Sequence, residues 1–150
     1  MSHSPIVAWS YDGVPIYGPV AYTNPFDTTS PLKRLQSSYY LKSGRTQGTG
    51  PAIGQYALGT FVEDYEYKPE GDSLHKDLDE YNGRFCKTPE FPEGRYCYFL
   101  TIHQSDDPGR NDGQVVKPRY PYMIGPNYKF APETVNFSTC LLYTSDAADE

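Results

Sequence analysis

Asp12, in the stretch DGVPIYG (12–18), and Asp79, in DLDEYNG (77–83), are the acids whose settings most invite a chemical role. With His3 and Glu63 they form the available set for a metal centre, which needs several His, Cys or carboxylate ligands converging on one point. Each also has a structural use. Asp12-Gly13 can turn the chain while Pro15 preorganises the return, and Asp79 can cap a turn whose Asn82-Gly83 adopts a left-handed conformation. His3, before Ser4-Pro5, is either a ligand or a hydrogen-bonded surface histidine. Asp79, Glu80 and Asn82 supply oxygens for a hard cation such as calcium, yet they lack the alternating ligands of an EF-hand loop. Cys86 and Cys97 would need a lowered pKa to act as nucleophiles, and Arg84, Lys87 and Arg95 serve equally well as exposed strand charges. The expectation is no catalytic residue, no bound metal and no cofactor.

These residues must be positioned by short strands. Apolar or aromatic runs alternate with turn signals from Pro5 to Phe130: IVAWSY then DG, PIYGPVAY then TNP, SSYYLKS then GRTQGTGP. The segment from Phe61 to Tyr67 suits a partly exposed strand, with Asp64 and Glu66 set among Val62, Tyr65 and Tyr67. GRFCKT and RYCYFLTI flank PEFPEG as a hairpin. Pairing symmetric about that loop puts Cys86 opposite Cys97, as a strained cross-strand disulfide or as two free thiols. After a polar loop, SDDPGRNDG, the segment Tyr120 to Ile124 reads as a further strand. Only GDSLHKDLDEYNG looks helical, with Asp72 or Ser73 as cap and Leu74 and Leu78 on one face. The fold expected is mainly β: a single compact domain of short antiparallel strands and hairpins with long loops, and at most one short helix near residues 73–81.

Composition narrows the function. The net charge is −6 and Lys and Arg are scattered without a stripe, so nucleic acid is not an expected partner. No apolar run is long enough for a membrane-spanning helix. Fifteen tyrosines offer either a core or an aromatic surface for a glycan or protein partner, with Tyr11, Tyr17, Tyr65, Tyr67, Tyr96, Tyr98, Tyr120 and Tyr122 in strand-like settings. The last eleven residues, CLLYTSDAADE (140–150), read as a translated sequencing adapter, since TGT-CTC-TTA-TAC-ACA-TCT encodes the first six. The expected organisation is a domain over 3–130, a trailing segment over 131–139 and that tail.

Four segments in order, HSPIVAWSYDGVPIYGP, DLDEYNGRF, EGRYCYFLTI and YPYMIG, resemble the YHYH domain family. The resemblance covers His3 to about Phe130. It places Tyr96 and Tyr98 at the tyrosines of the name-giving motif and Cys97 and Phe99 at its two histidine positions, so a role resting on that histidine pair is absent. In many cellular members a cysteine stands where this chain has Tyr81 and another where it has Pro126. Loss of both together is what pairing of the two would produce, and it argues against a disulfide-dependent extracellular setting. The stretches LKSGR, FVEDYEY and NGRFCKTPEFPEG look most like members embedded in virion structural proteins of marine cyanophages.

The resemblance thus implies a non-catalytic module of a larger phage virion or surface structural protein. It would be located in the virion, or alternatively at the cell surface or outside the cell. Its partners would be other virion or surface modules, a glycan or a receptor. The alternative is a metal-binding or metal-dependent enzyme-like domain of a secreted or surface protein, using His3, Asp12 and Asp79. The motif positions carried forward as candidate binding residues are His3, Asp12, Tyr17, Asp79, Asn82, Tyr96, Tyr98 and Tyr122.

Overall fold

The computed structural model describes residues 2–45, 50–103 and 117–132. The expected polar loop at 105–113, most of the trailing segment and the tail at 140–150 lie outside them. Eight short strands are present among the described residues: β1 (Ile6–Trp9), β2 (Pro15–Tyr17), β3 (Val20–Tyr22), β4 (Leu32–Arg34), β5 (Tyr39–Leu41), β6 (Tyr65–Tyr67), β7 (Gly83–Cys86) and β8 (Arg95–Phe99). The chain is mainly β, as its alternation of apolar runs and turn signals predicts. No helix among the described residues is long and apolar enough to cross a membrane.

The central sheet has the order β1-β2-β8-β7, and β3-β4 and β5-β6 are separate antiparallel ribbons. DGVPIYG makes the first hairpin: Ser10 N–H donates to the Val14 carbonyl at 2.9 Å and Gly13 takes φ 76°, a conformation that costs glycine little. Gly18-Pro19 then separates β2 from β3. Two hairpins, β1-β2 and β7-β8, abut through their second strands. Those strands run the same way, so β2 and β8 pair parallel, Ile16 with Tyr98 and Tyr17 with Phe99, where only antiparallel pairs were expected.

Side chains alternate across β8, as they must on a pleated strand. Cys97 and Phe99 join Tyr17, Ala21, Leu35, Leu78 and Cys86 in one buried cluster. Tyr96 and Tyr98 join Val14 and Ile16 in a second, against which Tyr81, Leu100 and Ile124 pack.

Four local expectations are corrected. The segment near 73–81 forms no helix: Leu74 is exposed while Leu78 is fully buried, so they share no face. Its polar groups bond to residues 36–38 instead, with Ser38 Oγ donating to the Leu78 carbonyl at 2.6 Å and Asp77 N–H to the Gln36 carbonyl at 3.2 Å. Of the strand expected from Phe61, only β6 forms, because Val62–Asp64 is a turn of 3-10 helix. Its cause is Asp64, whose carboxylate accepts from Gly59 and Phe61 N–H and takes Arg45 at 2.6 Å. Residues Tyr120–Ile124 form turns: Tyr122 has φ 73° and Pro121 has no N–H for a ladder, so among the described residues pairing here is limited to the isolated bridge of Pro118 with Ile102.

The fourth concerns the cysteines. Cys86 pairs with Arg95 and Cys97 with Arg84, because the loop reverses tightly at Thr88–Phe91 and slides the register by two residues. The two thiols are diagonal neighbours on one face, both free and both buried.

Candidate functional site

On the Tyr96/Tyr98 face lies a cleft of about 600 Å³ whose lining includes Asp12, Asp79, Tyr96, Arg95, Lys129 and Phe130. The first hairpin turn presents Asp12, whose Oδ1 accepts from the Ser10 hydroxyl two residues before it. Its Oδ2 accepts from the Tyr98 hydroxyl at 2.7 Å, and that hydroxyl accepts in turn from Lys129 N–H at 2.7 Å. Asp79 caps the turn before β7 as expected: Oδ1 accepts from Tyr81 N–H at 3.0 Å and Gly83 N–H at 3.1 Å. The Tyr96 hydroxyl sits 2.8 Å from both Asp79 oxygens. Each cleft acid therefore accepts a hydrogen bond from a tyrosine hydroxyl of β8. Burial foremost, with the facing carboxylates adding to it, raises both phenols above the ordinary tyrosine value and keeps them protonated donors.

Asn82 holds the same corner from inside. It adopts φ 63°, is fully buried, and donates from Nδ2 to the Phe99 carbonyl at 2.9 Å and the Met123 carbonyl at 3.2 Å. Gly125 completes the corner, donating to the Tyr81 carbonyl at 2.9 Å so closely that a Cβ there would lie 2.2 Å from the Glu80 oxygen.

His3 and Tyr17 belong elsewhere, on the core side of the sheet. The His3 ring meets Tyr17 edge-on at 5.4 Å and Tyr22 at 5.2 Å, and its Nδ1 lies 2.7 Å from the Ser4 carbonyl. It is hydrogen-bonded, as one reading of the sequence had it, but half-buried, and desolvation lowers its pKa below the usual 6.5. The metal set His3, Asp12 and Asp79 is not gathered, and among the described residues no three His, Cys, Asp or Glu side chains form a group that could hold a metal ion. The Tyr17 hydroxyl lies 2.9 Å from both Thr88 Oγ1 and Glu90 Oε2. Nor are the cysteines arranged as nucleophiles. The adjoining Cys86 thiol and burial push the Cys97 thiol well above its ordinary range, while the Cys97 thiol and Arg84 lower that of Cys86, and both side chains are fully buried, out of reach of a substrate.

Of the eight tyrosines weighed as a binding surface, Tyr17, Tyr96 and Tyr98 are buried, and Tyr11 and Tyr122 are exposed. A different aromatic group faces outward. Trp9 is 56% exposed and meets Phe91 at 6.5 Å, with the Arg95 guanidinium over both rings. Sequence reasoning missed Arg95, Lys129 and Phe130 as cleft residues, and Tyr81 as the ring beneath the Lys129 ammonium. Only their closeness to the recognised segments could have pointed to them.

A family model described as YHYH protein matches residues 1–106. The chain belongs to the YHYH family. Three of the four segments singled out in the sequence fall within the YHYH match. The fourth, YPYMIG, lies beyond it and is tied to the others by Asn82 and Gly125. Neither the curated proteins nor the solved structures searched contain a match.

The geometry shows how the segments of the YHYH domain depend on one another: segment one reaches segment three through Asp12 and Tyr98, segment two reaches it through Asp79 and Tyr96, and segment two reaches segment four through Asn82. The signature of the domain is thus one hydrogen-bonded assembly.

Proposed function

We propose that this YHYH domain is a non-catalytic module of a larger phage virion or surface structural protein, and that it binds through its cleft and the exposed Trp9–Arg95–Phe91 group. The observation that carries the non-catalytic part is the commitment of Asp12 and Asp79: each receives a phenol from β8 and a further donor from its own turn, so neither is poised as an acid or base for a substrate. Cys97 and Phe99, which stand where the resemblance expects histidines, lie in the dry core and offer no imidazole in their place. The virion setting is supported by the likeness of LKSGR, FVEDYEY and NGRFCKTPEFPEG to phage-borne members.

Partners of such a module are neighbouring virion or surface modules, with a glycan or cell-surface receptor at the exposed aromatic group, where ring faces and a guanidinium suit sugar rings and hydroxyls. Sequencing the flanking DNA tests this. The reading frame is expected to continue on both sides into further virion-like modules, and a stop codon with a ribosome-binding site close to the segment would overturn the assignment.

A further inference from the structure

One seat in the cleft is already taken by the chain itself. Lys129 Nζ lies 4.7 Å from the Tyr81 ring centroid and 5.2 Å from that of Tyr96, and 3.9 Å from Asp79 Oδ2. Two tyrosine faces and a carboxylate are the elements from which proteins build ammonium sites. We infer that Tyr81, Tyr96 and Asp79 form a cation subsite for an alkylammonium ligand, and that Lys129 is its displaceable occupant. This deepens the binding role proposed for the cleft and rests on it.

Three observations separate a seat from a fixed structural contact. Two of the walls are held by bonds that do not involve Lys129: Asp79 accepts from Tyr81 N–H, Gly83 N–H and the Tyr96 hydroxyl, and Tyr96 is 7% exposed. Asp79 Oδ2 is the less occupied oxygen, bonded to Tyr96 alone while Oδ1 takes three donors, and its contact with Lys129 is about 1 Å longer than a charge-assisted hydrogen bond. Lys129 itself is loosely held. Its side chain is 36% exposed, and the backbone around it is tied down by Lys129 N–H to Tyr98 and a long 3.4 Å bond from Phe130 N–H to Asp12. The open cleft beside the seat gives a ligand of several heavy atoms room to enter.

An ammonium from outside would gain the same rings and approach Oδ2 more closely, because it is not tethered through Lys129's own backbone. The ligand chemistry is a primary ammonium on an alkyl stem, from either a free amine or the lysine of a partner protein.

The test is an NMR titration of the protein and of Lys129→Ala with n-butylammonium and, separately, with the peptide Gly-Lys-Gly. Saturable shifts of the Tyr81 and Tyr96 ring resonances are expected in Lys129→Ala, at affinity at least about tenfold above wild type, and lost on adding Tyr81→Ala. In wild type the Lys129 Hε resonances, moved upfield by the two rings, are expected to return toward free-lysine positions as amine is added. Tighter binding of the peptide identifies a partner's lysine and equal binding a free amine. No saturable shift in folded Lys129→Ala, or equal affinity with and without Lys129, overturns the inference. Should that variant not fold, unmoved Lys129 Hε resonances in wild type overturn it equally. Either failure leaves the module assignment standing, since that is decided by the flanking reading frame.

Discussion

The two faces of β8 are built from the same five residues yet hold the domain together differently. Toward the core, Cys97 and Phe99 meet Tyr17, Cys86, Leu35 and Leu78, and the stabilisation comes from apolar area removed from water. Toward the cleft, Tyr96 and Tyr98 reach acids contributed by distant segments. The core face asks for apolar side chains that fill the same volume. The cleft face asks in addition for a phenol, because the hydroxyl at the end of the ring is what reaches the carboxylate. One strand thus supplies both bulk cohesion and the directional bonds that fix where the first and second segments lie, the second in turn holding the fourth.

Deleting ring volume from the core face is expected to have the largest effect. Phe99→Ala should cost about 4 kcal/mol by urea denaturation, since Phe99 is fully buried and stacks on Tyr17 at 5.7 Å. A loss under about 1 kcal/mol would mean that this side is not a close-packed core.

Next is the lock at the corner of the cleft face. Gly125→Ala forces a methyl against the Glu80 and Tyr81 backbone and should cost about 3 kcal/mol, with the largest amide shifts at Asp79–Gly83 and Met123–Gly125. A neutral result would show that the YPYMIG segment is not seated on DLDEYNG.

The smallest effect is a pH dependence peculiar to the core side. Because burial lowers the folded pKa of His3 below 6.5, the unfolded chain binds the proton first as pH falls. The contribution of His3 is therefore intact above 6.5 and declines as pH drops from there toward the lowered folded value. The urea midpoint should fall between about pH 7.5 and about pH 5.5, and His3→Gln should flatten that part of the slope. Equal slopes in the two proteins would contradict the burial of the ring.

How much of this the sequence discloses follows the same division. The turn at Asp12-Gly13, the left-handed Asn82 and the reversal before β8 are readable because glycine, asparagine and proline act locally. The register of β7 on β8 was not, since it is set by a tight turn at Thr88–Phe91 that the longer PEFPEG stretch conceals. The supposed helix near 73–81 failed for a non-local reason: Ser38 and Gln36, some forty residues away, take its hydrogen bonds. Within the site, Asp12, Asp79, Asn82, Tyr96 and Tyr98 stood out through their segments, though their partnerships did not. That Tyr98 meets Asp12 depends on the parallel pairing of two hairpins, and nothing in either hairpin states it. Lys129 stayed hidden because it touches the cleft only through tertiary contacts.

The central claim is that the cleft acids serve the fold through their tyrosines. A double-mutant cycle on Asp79→Asn and Tyr96→Phe, read by urea denaturation, tests it most directly. The account predicts that the two single losses overlap, with a coupling energy of about 1–2 kcal/mol. Strictly additive losses would contradict it, leaving Asp79 free of Tyr96 and available for chemistry of its own.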